Sequence, residues 1–200
     1  MIRLPTILTL SRLAAAPVVA LLVLWGDAWF FERGAGMAAA LFGGALALFI
    51  VAALTDLLDG YLARKMNATS DLGAALDHAA DKALTACTLL ALAKTSLPAD
   101  MTIAAVLIVS RDMLMAGLRE GLALSGRALP VSQGGKLKTV AVMLGAGAAL
   151  ATQTLIYFSA PLEVISVIFM VARGALWAGA ALAVITGAIY LRDAFRKTAT

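Results

Sequence analysis

The chain has one cysteine, one histidine and five prolines in 200 residues. A single thiol, Cys87, excludes an internal disulfide framework and a cysteine-built zinc site. It lies in an apolar run and reads as a packing residue. Charge is scarce too. Asp, Glu, Lys and Arg make up 14% of the chain, where a soluble domain has about a quarter. Apolar residues reach 62%, and mean hydropathy is +0.94. These values exclude an ordinary water-soluble domain and point to an all-α polytopic membrane protein. There is no internal repeat, low-complexity tract or second domain, so residues 1–200 read as a single membrane domain. The net charge of +4 raises nucleic acid as a partner, but the distribution of basic residues favours loops at one membrane face.

The long apolar runs predict six transmembrane helices behind an amphipathic N-terminal lead at residues 1–6. Arg12 interrupts the first run, which argues for an uncleaved helix rather than a signal peptide. The first span is expected from Ile7 to Trp25, bent at Pro17. Asp27–Arg33, with Trp29, Phe30 and Phe31, reads as an interfacial turn. A second span from Ala35 to about Arg64 follows. Lys65–Asp71 then forms a polar turn, with Ser70 or Asp71 as a helix cap. The third span is Leu72–Lys94, and Pro98 marks the next turn. The fourth runs from Met101 to about Glu120. Ser125–Lys138 is a basic loop before a fifth span at Thr139–Tyr157. Residues 160–173 read as a re-entrant or interfacial helix ahead of a sixth span at Gly174–Leu191.

Six crossings put both termini on one side. That side holds Arg3, Arg64, Lys65, Arg127, Lys136, Lys138, Arg192, Arg196 and Lys197, while the other holds mainly Arg33, Lys94 and Arg173. The positive-inside rule makes the first side cytoplasmic, as in a bacterial-type inner membrane.

Against this apolar background one stretch stands out, Asp56 to Asp81. Asp56 and Asp59 are three apart, and Asp77 and Asp81 are four apart. Each pair therefore shares a helix face. The first pair falls near the end of the second span and the second pair near the start of the third. A short turn would bring all four together at the cytosolic edge. Carboxylates in membrane segments are costly and by default functional. Four at one point repel unless cations hold them, and oxygen donors of this kind suit Mg²⁺ or Mn²⁺. Two such ions could bridge a diphosphate and stabilise an in-line displacement. Gly60 and Gly73 leave room for a ligand or a neighbouring backbone. Arg64 could pair with a phosphate or with an acid of the motif.

The pattern of Asp56, Asp59, Gly60, Ala63, Arg64, Gly73, Asp77 and Asp81 resembles the signature of the CDP-alcohol phosphotransferases at every fixed position. The resemblance implies that Asp56, Asp59 and Asp77 are metal ligands. Asp81 would be the general base and a further ligand, and Gly60, Ala63, Arg64 and Gly73 would line the cytidine nucleotide of a CDP-linked lipid. An acceptor alcohol would attack the β-phosphorus and CMP would leave. Family members commonly pair as homodimers.

Further stretches extend the resemblance to the branch of the family that joins CDP-diacylglycerol to sn-glycerol 3-phosphate. These are L-P-T-I-L-T-L-S-R at 4–12, Arg111 with Leu118–Glu120, and G-K-L-K-T at 135–139. The acceptor's phosphate would then meet Arg111, Arg119, Lys136 and Lys138. Two positions depart from the common pattern: His78 where proline is frequent, and Asp112 where glutamate is. His78 reads as a neighbour of the acids rather than a ligand, and Thr6, Thr9 and Arg12 are equally consistent with nucleotide contact and with topology. Other acceptors, such as inositol phosphate or serine, remain alternatives. A divalent-cation transporter is a reading from another class, but it predicts acids spread through the bilayer or duplicated in two halves.

Overall fold

The computed structural model describes residues 4–66, 71–124 and 133–196, and among these it contains six helices and no strand. They are α1 (Leu4–Arg33), α2 (Ala35–Met66), α3 (Asp71–Thr95), α4 (Ala99–Leu124), α5 (Gln133–Tyr157) and α6 (Leu162–Arg196). Five of them, all but α3, are long and apolar enough to cross a membrane. α3 has 25 residues, but Asp71, Asp77, Asp81 and Lys82 all lie in its first half, so its apolar run begins only at Ala83.

α1 packs along both α2 and α3, and α5 packs along α6. α6 also touches α4, and α5 touches α2, which joins the two groups. The core is built from one stripe of each helix. It includes Val19 and Val23 of α1, Phe42 and Phe49 of α2, Leu84 and Leu92 of α3, Met101 and Ile108 of α4, Leu150 of α5 and Leu176 of α6. Large apolar side chains such as Val51, Met113 and Met170 point outward, as expected of a surface that faces lipid rather than water.

Four sequence expectations change. Asp27–Arg33 is not a turn: α1 continues to Arg33, and the chain reverses at Gly34 alone, whose φ is 81°. The Gly34 amide donates to the Phe30 carbonyl at 3.1 Å and so closes the helix end. Phe30 there helps to join helices instead. Tyr157 of α5 stacks on Phe42 of α2, with ring centres 4.9 Å apart, and meets Phe30 of α1 at 5.4 Å. The positive φ makes a direct prediction. Gly34→Ala has room for its methyl group, yet should lose about 1–2 kcal/mol from the left-handed backbone alone; thermal unfolding in detergent reads this.

Residues 160–173 do not form a separate re-entrant element. α6 is one helix of 35 residues, and the turn before it lies at Phe158–Pro161, where Ser159 has φ 53°. Arg173 sits within this helix, and its Nε meets Asp100 Oδ2 in the first turn of α4 at 2.8 Å. Trp177 Nε1 donates to the same oxygen at 3.4 Å. Finally, the lead at residues 4–6 is continuous with α1, and α5 begins at Gln133, so Lys136 and Lys138 are helical rather than part of a loop. Arg3, Ser70, Arg127 and Lys197 lie outside the described residues.

Candidate active site

Asp56 and Asp59 fall in the last turns of α2, and Asp77 and Asp81 in the first turns of α3. The helical backbone thus supplies the register that the spacing requires, with each pair on one face of its helix. Only four residues, 67–70, separate the two helices. The side chains of Asp56, Asp59, Ala63, Arg64, Asp77 and His78, and the surroundings of Gly60 and Gly73, lie outside the described residues. Asp81 is described. It is half-buried, and its Oδ1 is shut off from solvent. Ala80 and Leu84 beside it are fully buried. Arg12 and Thr9 of α1 are buried as well, on the helix that packs along both acid-bearing helices.

Among the described residues no three acids, histidines or cysteines group as a metal site; three of the four aspartate side chains fall outside that set. The donor chemistry can still be weighed. Four carboxylates, two near the end of α2 and two near the start of α3, supply hard oxygen donors and negative charge. Such a set fits a divalent cation of the Mg²⁺ or Mn²⁺ type.

The basic residues separate into two groups. Arg111 and Lys138 converge on Asp112, and Lys136 and Arg119 do not share that contact. Lys138 Nζ donates to both Asp112 oxygens at 2.7 Å, with only 4% of Lys138 and 8% of Asp112 exposed. Arg111 Nη1 donates to Asp112 Oδ1 at 3.1 Å. Its other nitrogens reach α6: Nε donates to the Ala183 carbonyl at 3.2 Å and Nη2 to Thr186 Oγ1 at 2.9 Å. Gly187 leaves space for this crossing, because a Cβ there would stand 3.2 Å from Arg111 Cγ. Arg119 is half-buried and Lys136 is exposed.

Sequence reasoning missed Lys82. Its Nζ lies 3.5 Å from the Asp112 carbonyl oxygen, and it borders a cavity of about 250 Å³ between α3 and α4. A signal was present: Lys82 is a lone cation directly after Asp81, at the head of an apolar run. Thr186 and Gly187 gave no such signal, since small and hydroxylated residues are common throughout the apolar segments.

The fold and its polar end define an integral membrane protein with acids and cations gathered among the helices. Residues 2–185 match the CDP-alcohol phosphatidyltransferase family, and the chain belongs to that family of enzymes. Its members generally depend on divalent metals. Among its relatives, a "CDP-diacylglycerol--glycerol-3-phosphate 3-phosphatidyltransferase" of Rickettsia bellii (strain RML369-C) is 38% identical over 190 residues, covering 94% of this chain and 93% of the relative. A protein of the same name from Bacillus subtilis (strain 168) is 35% identical over 192 residues, covering 94% and 92%.

Proposed function

We propose that this protein transfers the phosphatidyl group of CDP-diacylglycerol to sn-glycerol 3-phosphate, giving phosphatidylglycerophosphate and CMP. The observation that carries this reading is the full aspartate signature on two helices joined by four residues, in a chain similar along nearly its whole length to enzymes named for that reaction. Asp56, Asp59, Asp77 and Asp81 would hold two divalent cations. When bound, such ions neutralise a diphosphate and stabilise the oxygens on either side of the reacting phosphorus. Gly60, Ala63, Arg64 and Gly73 line the cytidine nucleotide. Asp81 accepts the proton of the acceptor hydroxyl as its oxygen bonds to the β-phosphorus. The bond from that phosphorus to the CMP oxygen breaks, and CMP carries away the electron pair. Arg111, Arg119, Lys136 and Lys138 attract the acceptor's phosphate. Much of the catalysis is positioning and charge complementarity, as phosphoryl-type transfer requires.

The lipid enters from the bilayer and the acceptor from the cytosol. The excess of Lys and Arg at the ends that carry Arg64, Lys136, Arg192 and Arg196 supports that orientation, in a bacterial-type inner membrane. A homodimer is the expected assembly.

The test uses purified protein in detergent with CDP-diacylglycerol and a panel of acceptors. CMP release should require glycerol 3-phosphate, vanish with EDTA and return with Mg²⁺ or Mn²⁺. Release that favoured inositol phosphate or serine would keep the chemistry and change the acceptor. Metal-dependent ion flux in vesicles without CMP release would instead support a transporter.

A further inference from the structure

Among the described residues the basic cluster sets three cations, Lys82, Arg111 and Lys138, around one carboxylate, an excess of positive charge. Asp112 is shared between Lys138 and Arg111, and its backbone carbonyl faces the Lys82 ammonium. Lys82 is also close enough to Lys138, Arg119 and Arg111 to interact with each of them electrostatically. Lys82, Arg111 and Lys138, from α3, α4 and α5, thus meet at one described acid. Buried like charges are unfavourable unless an opposite charge joins them. A dianion would relieve most of that excess.

The cations are not equivalent. Lys138 is committed to both oxygens of Asp112. Arg111 is held in three directions, by Asp112, the Ala183 carbonyl and Thr186. Among the described residues, Lys82 has no carboxylate within ion-pair distance, and its hydrogen bond to the neutral Asp112 carbonyl is long, at 3.5 Å. It therefore has donor capacity left for a ligand. Its place in the chain adds a second argument. Adjacent helix positions point about 100° apart, so Asp81 and Lys82 face adjoining sides of α3. An acceptor with a hydroxyl at one end and a phosphate a few bonds away would reach both.

We infer that Lys82 binds the phosphate of the acceptor, and that Asp112 is a positioning residue that holds Lys138 and Arg111 beside it. This deepens the proposed reaction and rests on it. The site would thereby select phosphomonoester acceptors over neutral alcohols. Asp112 would act through the cations rather than by touching substrate.

The experiment measures CMP release at varied glycerol 3-phosphate and at varied CDP-diacylglycerol, with inorganic phosphate as a competitor. Lys82→Met should raise the KM for glycerol 3-phosphate about tenfold or more, as expected for a lost charge-assisted hydrogen bond. The KM for CDP-diacylglycerol should stay within about twofold, and competition by phosphate should weaken in parallel. Lys82→Arg should recover part of the loss. Asp112→Asn should produce the same split between the two substrates, with Asp112→Glu closer to the parent protein. A folded Lys82→Met enzyme with an unchanged KM for glycerol 3-phosphate overturns the inference. So does one in which both KM values rise together, which indicates general damage. If Lys82→Met does not fold, Lys82→Arg decides on the same criteria, because its displaced charge should still shift the acceptor KM alone. Parent protein that releases no CMP with glycerol 3-phosphate rejects the proposed function itself, a different outcome from an active parent and an unmoved variant.

Discussion

Asp81→Asn should lower CMP release by about a hundredfold to ten-thousandfold, the range that general-base catalysis supplies. The substitution keeps size and shape but removes the site that accepts the proton. Asp81 is half-buried between the fully buried Ala80 and Leu84, so an isosteric amide should leave the helix seated and the melting temperature nearly unchanged. A metal titration separates its possible roles. If it acts as the base, activity stays low at every metal concentration. If it acts chiefly as a ligand, added Mg²⁺ or Mn²⁺ should restore part of the rate. Asp56→Asn, placed as a ligand only, should show the second behaviour. Full turnover in folded Asp81→Asn protein would remove Asp81 from the mechanism.

What could be read from the sequence follows from how local the information is. The acid-bearing hairpin is legible because spacings of three and four mean the same thing in any helix, and the connecting segment is short. The helix order is legible because apolar runs of some twenty residues have few other uses. The ends of the helices were harder to read. Trp29, Phe30 and Arg33 look like an interfacial turn, yet a helix can pass through that zone with its backbone fully bonded, and only Gly34 breaks it. Arg173 looks like a boundary because its partner, Asp100, is far away in the chain. The basic residues show the same limit. Lys136 and Lys138 look alike in sequence, but one is exposed and the other is sealed against Asp112. Nothing local could tell them apart, because the contact joins α4 to α5.

Gly145→Leu should be the most damaging of the substitutions away from the aspartates. A Cβ at Gly145 would lie 2.8 Å from Leu176 Cγ and 2.9 Å from the Leu176 backbone nitrogen. The same seam repeats in reverse: a Cβ at Gly179 would lie 2.8 Å from Val142 Cγ2 and 3.4 Å from the Val142 nitrogen. α5 and α6 therefore run antiparallel with their backbones nearly touching, the close approach that small residues permit in membranes. A side chain at Gly145 meets backbone, which cannot rotate away, so the helices must separate. Overpacking of this kind costs about 1–3 kcal/mol and occasionally more. The damage should reach the basic cluster as well. Lys138 lies two turns before Gly145, and Thr186 two turns after Gly179, so the seam sets the register in which Lys138 meets Asp112 and Thr186 meets Arg111. Gly145→Leu should therefore lower the melting temperature and raise the KM for glycerol 3-phosphate in whatever protein still folds. Gly174→Leu is the control. It lies on the same helix as Leu176 but has nothing within 4 Å, and it should leave both values near those of the parent. If Gly145→Leu behaved like Gly174→Leu, α5 and α6 would not be held at this distance, and the seam could not be what aligns Lys138 with Asp112.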